Sequence, residues 1–189
     1  MDILKELEAA GGLLTGHFVL KSGRHSDRYL NKDTIYPDTQ LMQRVGQELG
    51  WLAQDAFSYG IGLVIGPEKG GIILSQWTAR RLCLPSLYAE KDGDGFVVKR
   101  NAHLIAGRKV LIVEDIVTTG GSIQAVYDLI RPLGGEPIGC VCLVNRGGVR
   151  LPWLRWLAEV NVETWAADEC PLCRDGVPIN TNVGHGKKA

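Results

Sequence analysis

The fourteen residues Lys-Val-Leu-Ile-Val-Glu-Asp-Ile-Val-Thr-Thr-Gly-Gly-Ser at positions 109–122 constrain the fold more than any other part of the chain. Residues 110–113 form an apolar run with the length of a strand buried on both faces, as in a parallel sheet. The run ends in two adjacent carboxylates, Glu114 and Asp115. Thr118, Thr119, Gly120, Gly121 and Ser122 then open an amphipathic helix that continues through Ala125, Leu129 and Ile130. Ligands of open α/β sheets bind just beyond the carboxyl ends of the strands. Free backbone N–H groups of small residues at a helix N-terminus make an anion cradle, to which threonine and serine hydroxyls add donors. A phosphate-bearing ligand follows, and two acids beside it suit either ribose hydroxyls or a divalent cation. The loop is neither a GxxxxGK[ST] phosphate loop nor a GxGxxG dinucleotide loop.

The remaining pattern alternates strands and helices, which indicates a parallel sheet with right-handed crossovers. Helical spacing covers residues 4–10 and 38–56, and a helix follows the glycine-rich loop at 66–71 as far as Arg81. Strands are expected at 61–65, 87–91, 96–99, 138–145 and 160–165, with two short ones around the Ser22-Gly23 turn. The fold expected is an open parallel sheet flanked by helices with a small N-terminal hood. One domain is expected: hood about 1–35, core about 36–166, and a loosely ordered tail about 167–189.

Composition excludes several function classes. With 21 basic and 21 acidic residues the net charge is zero, so no global field favours nucleic acid or an anionic membrane. No apolar run approaches the roughly 20 residues that span a bilayer. The N-terminus reads as a charged helix start and not as a signal peptide, so the cytoplasm is the expected location. Five cysteines, an odd number, argue against a disulfide framework. Cys140 and Cys142 fall in an apolar strand, and Cys83 reads as a small buried hydrophobe. Cys170-Pro171-Leu172-Cys173 has the spacing of half a zinc site, of a redox pair, or of a plain tight turn. No second CxxC or HxxxH completes a zinc set, and His185 is the one further ligand the sequence suggests.

The string from Val110 to Ser122 resembles the phosphoribosyl-pyrophosphate (PRPP) signature of type I phosphoribosyltransferases. Within that family, residues 11–148 are most similar to the orotate enzymes. Three segments carry the likeness: Phe18-Val19-Leu20-Lys21-Ser22-Gly23-Arg24-His25-Ser26, the loop Gly66-Pro67-Glu68-Lys69-Gly70-Gly71, and Val144-Asn145-Arg146. The resemblance implies transfer of ribose 5-phosphate from PRPP to orotate, with Mg²⁺ acting through PRPP. It implies that Glu114 and Asp115 hold the ribose, that residues 118–122 hold the 5'-phosphate, and that Lys69 and Gly70 meet the pyrophosphate. Lys21, Tyr29, Thr118 and Arg146 would contact orotate, and an arginine fork suits a carboxylate. Lys91 and Asp115 would be the catalytic pair, with Lys99 and Arg100 as further cations for pyrophosphate. It also implies a homodimer in which the polar turn Asp92-Gly93-Asp94-Gly95 covers the partner's site. The chain departs from the family pattern in three places. Leu30 stands where a second aromatic is common, the turn at 92–95 has no histidine, and Gly70 stands where some relatives carry the loop lysine. Transfer to another nucleobase, and a PRPP-sensing regulator without turnover, are the competing readings.

Overall fold

The computed structural model describes residues 2–57 and 60–183. Its chain order begins α1 (Ile3–Ala9), β1 (Leu13–Val19), β2 (His25–Leu30), α2 (Thr39–Ala56), β3 (Ile61–Pro67) and α3 (Gly70–Leu82). It continues with β4 (Ser86–Asp92), β5 (Gly95–Val97), β6 (Lys109–Val117) and α4 (Gly121–Ile130). The last elements are β7 (Glu136–Asn145), β8 (Leu154–Glu159) and the short α5 (Pro171–Arg174). The described chain forms two compact units, one within residues 38–160 and one of residues 2–37 with 161–183. His185 and the final residues of the tail lie outside the described residues.

The larger unit carries the expected sheet. Its order is β5-β4-β3-β6-β7-β8, parallel throughout except for the antiparallel edge pair β4–β5. β6 and β7 are central and almost continuously buried, which is why they read as unbroken apolar runs. Leu63, Ile65, Val110, Ile112, Ile123, Val126 and Ile130 lie in one core between the sheet and α4. On the other helix pair, Asp38 caps α2 by accepting from the N–H groups of Gln40 and Leu41 at 3.0 and 2.9 Å. Leu41, Val45, Leu49 and Ala53 then bury one face of α2 at helical spacing.

The smaller unit is built on the antiparallel hairpin β1–β2. The segment after β8 returns to this hairpin. His25 exchanges both backbone hydrogen bonds with Trp165, at 2.8 and 2.9 Å. The Ser26 hydroxyl donates to the Glu163 carbonyl at 2.8 Å, and Arg24 donates to Thr164 through Nε and Nη2.

The structure corrects three expectations. The last strand of the sheet is β8, ahead of residues 160–165, which instead supply only the single bridge at Trp165. β8 is an edge strand with one covered face, so Arg155 and Glu159 interrupt the apolar pattern that would have marked it. β5 ends at Val97, so Lys99 lies beyond it and pairs with Glu90 at 3.3 Å. Cys83 is exposed; it closes α3 with φ of 55°, a left-handed cap that points its side chain away from the core. Among the described residues no helix is long and apolar enough to cross a membrane.

Gly46 and Gly50 let α2 and α3 approach closely. A Cβ on Gly46 would stand 2.6 Å from Trp77 Cβ and 2.8 Å from its backbone carbon. Alanine gains about 0.5–1 kcal/mol of helix propensity over glycine, but overpacking against backbone costs about 1–3 kcal/mol. Gly46→Ala should therefore lower the urea midpoint of unfolding. An unchanged or higher midpoint would show that the two helices separate freely.

Candidate active site

The carboxyl ends of β3, β6 and β7 converge on one region of the larger unit. Glu114 and Asp115 end the apolar part of β6 and are only 7% and 2% exposed. Carboxyl groups so deeply placed need hydrogen-bond partners. Glu114 Oε1 accepts from the Asp115 N–H at 2.9 Å, and Asp115 Oδ1 accepts from the Ile116 N–H. These bonds turn both carboxylates back on their own strand and hold their orientation.

β6 runs on to Val117, and Thr118 to Gly120 lead into α4. Gly120 caps that helix with φ of 83°, a conformation that favours glycine and turns the following N–H groups of the first helical turn toward one point. Residues 116–123 and Glu114 line an open hollow of about 220 Å³. Thr119, Gly121 and Ser122 are exposed within this loop. Backbone donors, hydroxyls and a helix dipole in one concavity make an anion site.

The loop after β3 comes to the same place. Gly70 and Gly71 begin α3 and are buried, and the Glu68–Lys69 peptide is cis. A Cβ on Gly71 would be 2.8 Å from the Val113 carbonyl and 3.3 Å from Glu114 Oε1. Only glycine allows the first turn of α3 to lie this close to the acidic end of β6. Lys69 is exposed at the N-cap of the helix.

The segment after β7 closes the third side. Arg146 N–H donates to the Val117 carbonyl at 2.8 Å, which extends the β6–β7 ladder beyond its last pair and sets the arginine beside the loop. Asn145, named from the sequence only as part of the Val144-Asn145-Arg146 segment and given no role there, organises this corner. It is fully buried; Nδ2 donates to the Val149 carbonyl at 2.9 Å and Oδ1 accepts from the Val149 N–H at 3.2 Å. Gly147 is the second unforeseen residue, since a Cβ there would fall 1.8 Å from the Thr118 carbonyl oxygen. The Asn-Arg-Gly-Gly string was the available signal: a polar residue ending an apolar strand, then two glycines.

The β4–β5 hairpin brings Lys91 and residues 93–96 to an open hollow shared with Gly121, Ser122 and Ala125. Its tight turn carries Gly93 at φ of 57°, and Lys91 is exposed. Lys99 and Arg100 follow the hairpin and are exposed, with Lys99 engaged by Glu90. In the smaller unit, Lys21 is exposed in the turn between β1 and β2, and the Tyr29 ring lies 5.5 Å from that of Phe18. Cys140 and Cys142 are buried as expected. Burial pushes both thiols well up, with Glu114 adding to the rise, so they stay protonated and serve as core residues.

An anion-binding loop, a carboxylate pair and an arginine at the carboxyl edge of a parallel sheet define an α/β protein built for a phosphorylated ligand. The phosphoribosyl transferase domain model matches residues 31–172, and the chain belongs to that family. Two orotate phosphoribosyltransferases are similar along nearly the whole chain. That of Desulforamulus reducens is 39% identical, with 94% of this chain and 93% of the relative covered. That of Caldanaerobacter subterraneus subsp. tengcongensis is 36% identical, with 95% and 93% covered. The crystal structure of orotate phosphoribosyltransferase from Aeropyrum pernix superposes with a TM-score of 0.67 at 28% identity, covering 83% of this chain and 93% of that one.

The contact at Gly147 predicts a specific sensitivity. Gly147→Ala must displace the Thr118 carbonyl and with it the start of the anion loop. Its affinity for ribose 5-phosphate, measured by calorimetry, should fall about tenfold or more, a loss of at least about 1.4 kcal/mol. Unchanged affinity would show that the loop geometry does not depend on this contact.

Proposed function

We propose that the protein transfers ribose 5-phosphate from PRPP to orotate, releasing pyrophosphate and forming orotidine 5'-monophosphate. The observation that carries this reading is the convergence of Glu114, the loop 118–122 and the Arg146 backbone on one edge of the sheet. Relatives named orotate phosphoribosyltransferase, matched over more than nine-tenths of the chain, supply the substrate pair.

In this reading Glu114 and Asp115 receive the ribose hydroxyls, and the N–H groups and hydroxyls of Thr118, Thr119, Gly120, Gly121 and Ser122 take the 5'-phosphate. Lys69, Gly70 and Lys91 face the pyrophosphate. Arg146 takes the orotate carboxylate, with Lys21, Tyr29 and Thr118 as further base contacts. The C1'–O bond to pyrophosphate breaks with its electron pair leaving on oxygen. The new bond forms from the orotate ring nitrogen to C1', and that nitrogen passes its proton to the departing pyrophosphate or to water. Positive charge builds on the ribose while the chain's cations and dipoles hold the departing anion, so positioning and charge stabilisation supply the catalysis. Lys91 neutralises developing charge, and Asp115 holds the sugar in line.

Mg²⁺ fits the oxygen-only donors that Glu114 and Asp115 present, since it prefers carboxylate, hydroxyl and phosphate oxygens. When bound with PRPP it would offset the charge of the pyrophosphate. The enzyme is further proposed to be cytoplasmic, without nucleic-acid or membrane partners; its balanced charge supports the absence of nucleic-acid binding.

A panel of bases supplied with PRPP and Mg²⁺ should show orotate consumed and uracil and adenine untouched. Turnover of another base in place of orotate would overturn the substrate assignment. Arg146→Ala should raise KM for orotate about tenfold or more and leave PRPP binding nearly intact. Equal losses for both substrates would mark the arginine as structural.

The protein is further proposed to be a homodimer whose β4–β5 hairpin serves the partner's site. The polar, two-glycine turn of that hairpin suits a cover that excludes water. Lys91→Ala and Asp115→Asn, each inactive alone, should then recover activity as verified hybrid dimers. No recovery would place Lys91 in the site of its own chain, where it already shares a hollow with Gly121 and Ser122.

A further inference from the structure

The smaller unit holds a cluster that the transfer reaction does not use. His17 and His25 lie on the hairpin, and Cys170 and Cys173 lie on the single turn of α5, 145 or more residues away in sequence. His25 is opposite Val19, so His17, two residues before Val19, shares its face of the hairpin. An irregularity in the register between Thr15 and Phe18 adds local twist at that point. Cys170 caps α5 and Cys173 follows one turn later, so both sulfurs reach the same spot.

One ligand atom from each residue lies within 4.8 Å of all the others. The distances are 3.7 Å from His17 Nε2 to each sulfur, 3.3 Å from His25 Nδ1 to the Cys173 sulfur, and 2.8 Å between the two ring nitrogens. A tetrahedral ion with bonds of about 2.3 Å to sulfur and about 2.05 Å to nitrogen needs N···S edges of about 3.6 Å and an N···N edge of about 3.4 Å. The two edges from His17 to sulfur already match, the His25–Cys173 edge is short by about 0.3 Å, and the remaining edges lie within 4.8 Å. The nitrogen pair need only open by about half an ångström.

The hydrogen bonding around His17 suits the same role. Its Nδ1 is 2.7 Å from the Val177 carbonyl, which can only accept. The ring proton therefore sits on Nδ1, and Nε2 turns a lone pair toward the cluster. A metal-bound histidine characteristically gives its second ring N–H to such an outer partner. His17, His25 and Cys170 are 2%, 7% and 3% exposed, while Cys173 reaches the surface.

The need for a cross-link is also visible. The described part of this unit buries few large apolar side chains, chiefly Ile3, Leu7, Leu13, Phe18, Leu30 and Ile35. All of these precede residue 38, so the returning segment 161–183 contributes little to the core beyond Cys170. Small units with thin cores commonly depend on a metal or disulfide.

We propose that His17, His25, Cys170 and Cys173 form a structural Zn²⁺ site that fastens the C-terminal segment to the N-terminal hairpin. Two thiolates and two imidazoles in tetrahedral array select zinc over the harder Mg²⁺. Four protein ligands close the coordination sphere, which leaves no open position for substrate. The site holds the fold of this unit and does not depend on the transferase reading.

The test uses the full-length protein, expressed with zinc in the medium, and reads metal directly. Elemental analysis should find about one zinc per chain, with none in the Cys170→Ser/Cys173→Ser double variant. Reduced, metal-free wild-type protein titrated with Co²⁺ should develop the visible ligand-field bands and thiolate charge-transfer absorption of a tetrahedral S₂N₂ centre, saturating at one equivalent. Cys173→Ser should shift those bands, and chelation should expose the segment after residue 160 to protease. Absence of retained zinc together with no cobalt bands in the wild type would overturn the proposal. Bands that persist unchanged in the double variant would overturn the ligand assignment. The wild-type titration remains decisive even if the double variant fails to fold.

Discussion

Placing two carboxylates at the buried end of the central strand is the demand around which the larger unit is arranged. An unpaired ion at that depth costs several kcal/mol. Glu114 and Asp115 meet part of that demand locally, through N–H groups of residues 115 and 116. Hydrogen bonds to charged groups contribute about 1.5–3 kcal/mol each, so these two offset much of the cost. The pair is thereby oriented just before β6 ends at Val117 and the anion loop starts. A carboxylate free to rotate would lose the orientation that a sugar hydroxyl requires.

Three loops depend on that edge, and each approaches it through glycine. Gly71 brings α3 against Val113 and Glu114, Gly120 supplies the left-handed turn into α4, and Gly147 lies against Thr118. Asn145 then ties its own loop to Val149 from a fully buried position. The site is therefore a product of close backbone approach as much as of functional side chains. Substitutions at glycines that touch no ligand should matter nearly as much as changes to the acids.

The parallel core was legible because it obeys simple periodicity. β3, β6 and β7 are continuous apolar runs, and α2 carries a clean cap and apolar face. The carboxylates and the loop 118–122 were legible because chemistry of that kind at the end of a strand has few other uses. β8 was missed because an edge strand with one covered face mixes charged with apolar residues. Gly147 was missed because its role is a contact with Thr118, distant in sequence, and Asn145 because its bonds to Val149 form only once the loop after β7 folds back. The CxxC was visible as half a set, but its partners lie 145 or more residues away on a hairpin, and no local pattern links them. His185, the ligand the sequence suggested, lies outside the described residues.

In the proposed function PRPP binds at the β6–α4 loop and its acids. Hydrogen exchange measured with and without PRPP and Mg²⁺ tests this directly, because bound phosphate must occupy the N–H groups of the loop. Slowed exchange should concentrate at residues 115–123, with a smaller effect at 68–72 and 146–148. Saturating PRPP that leaves those amides unchanged while protecting another region would contradict it.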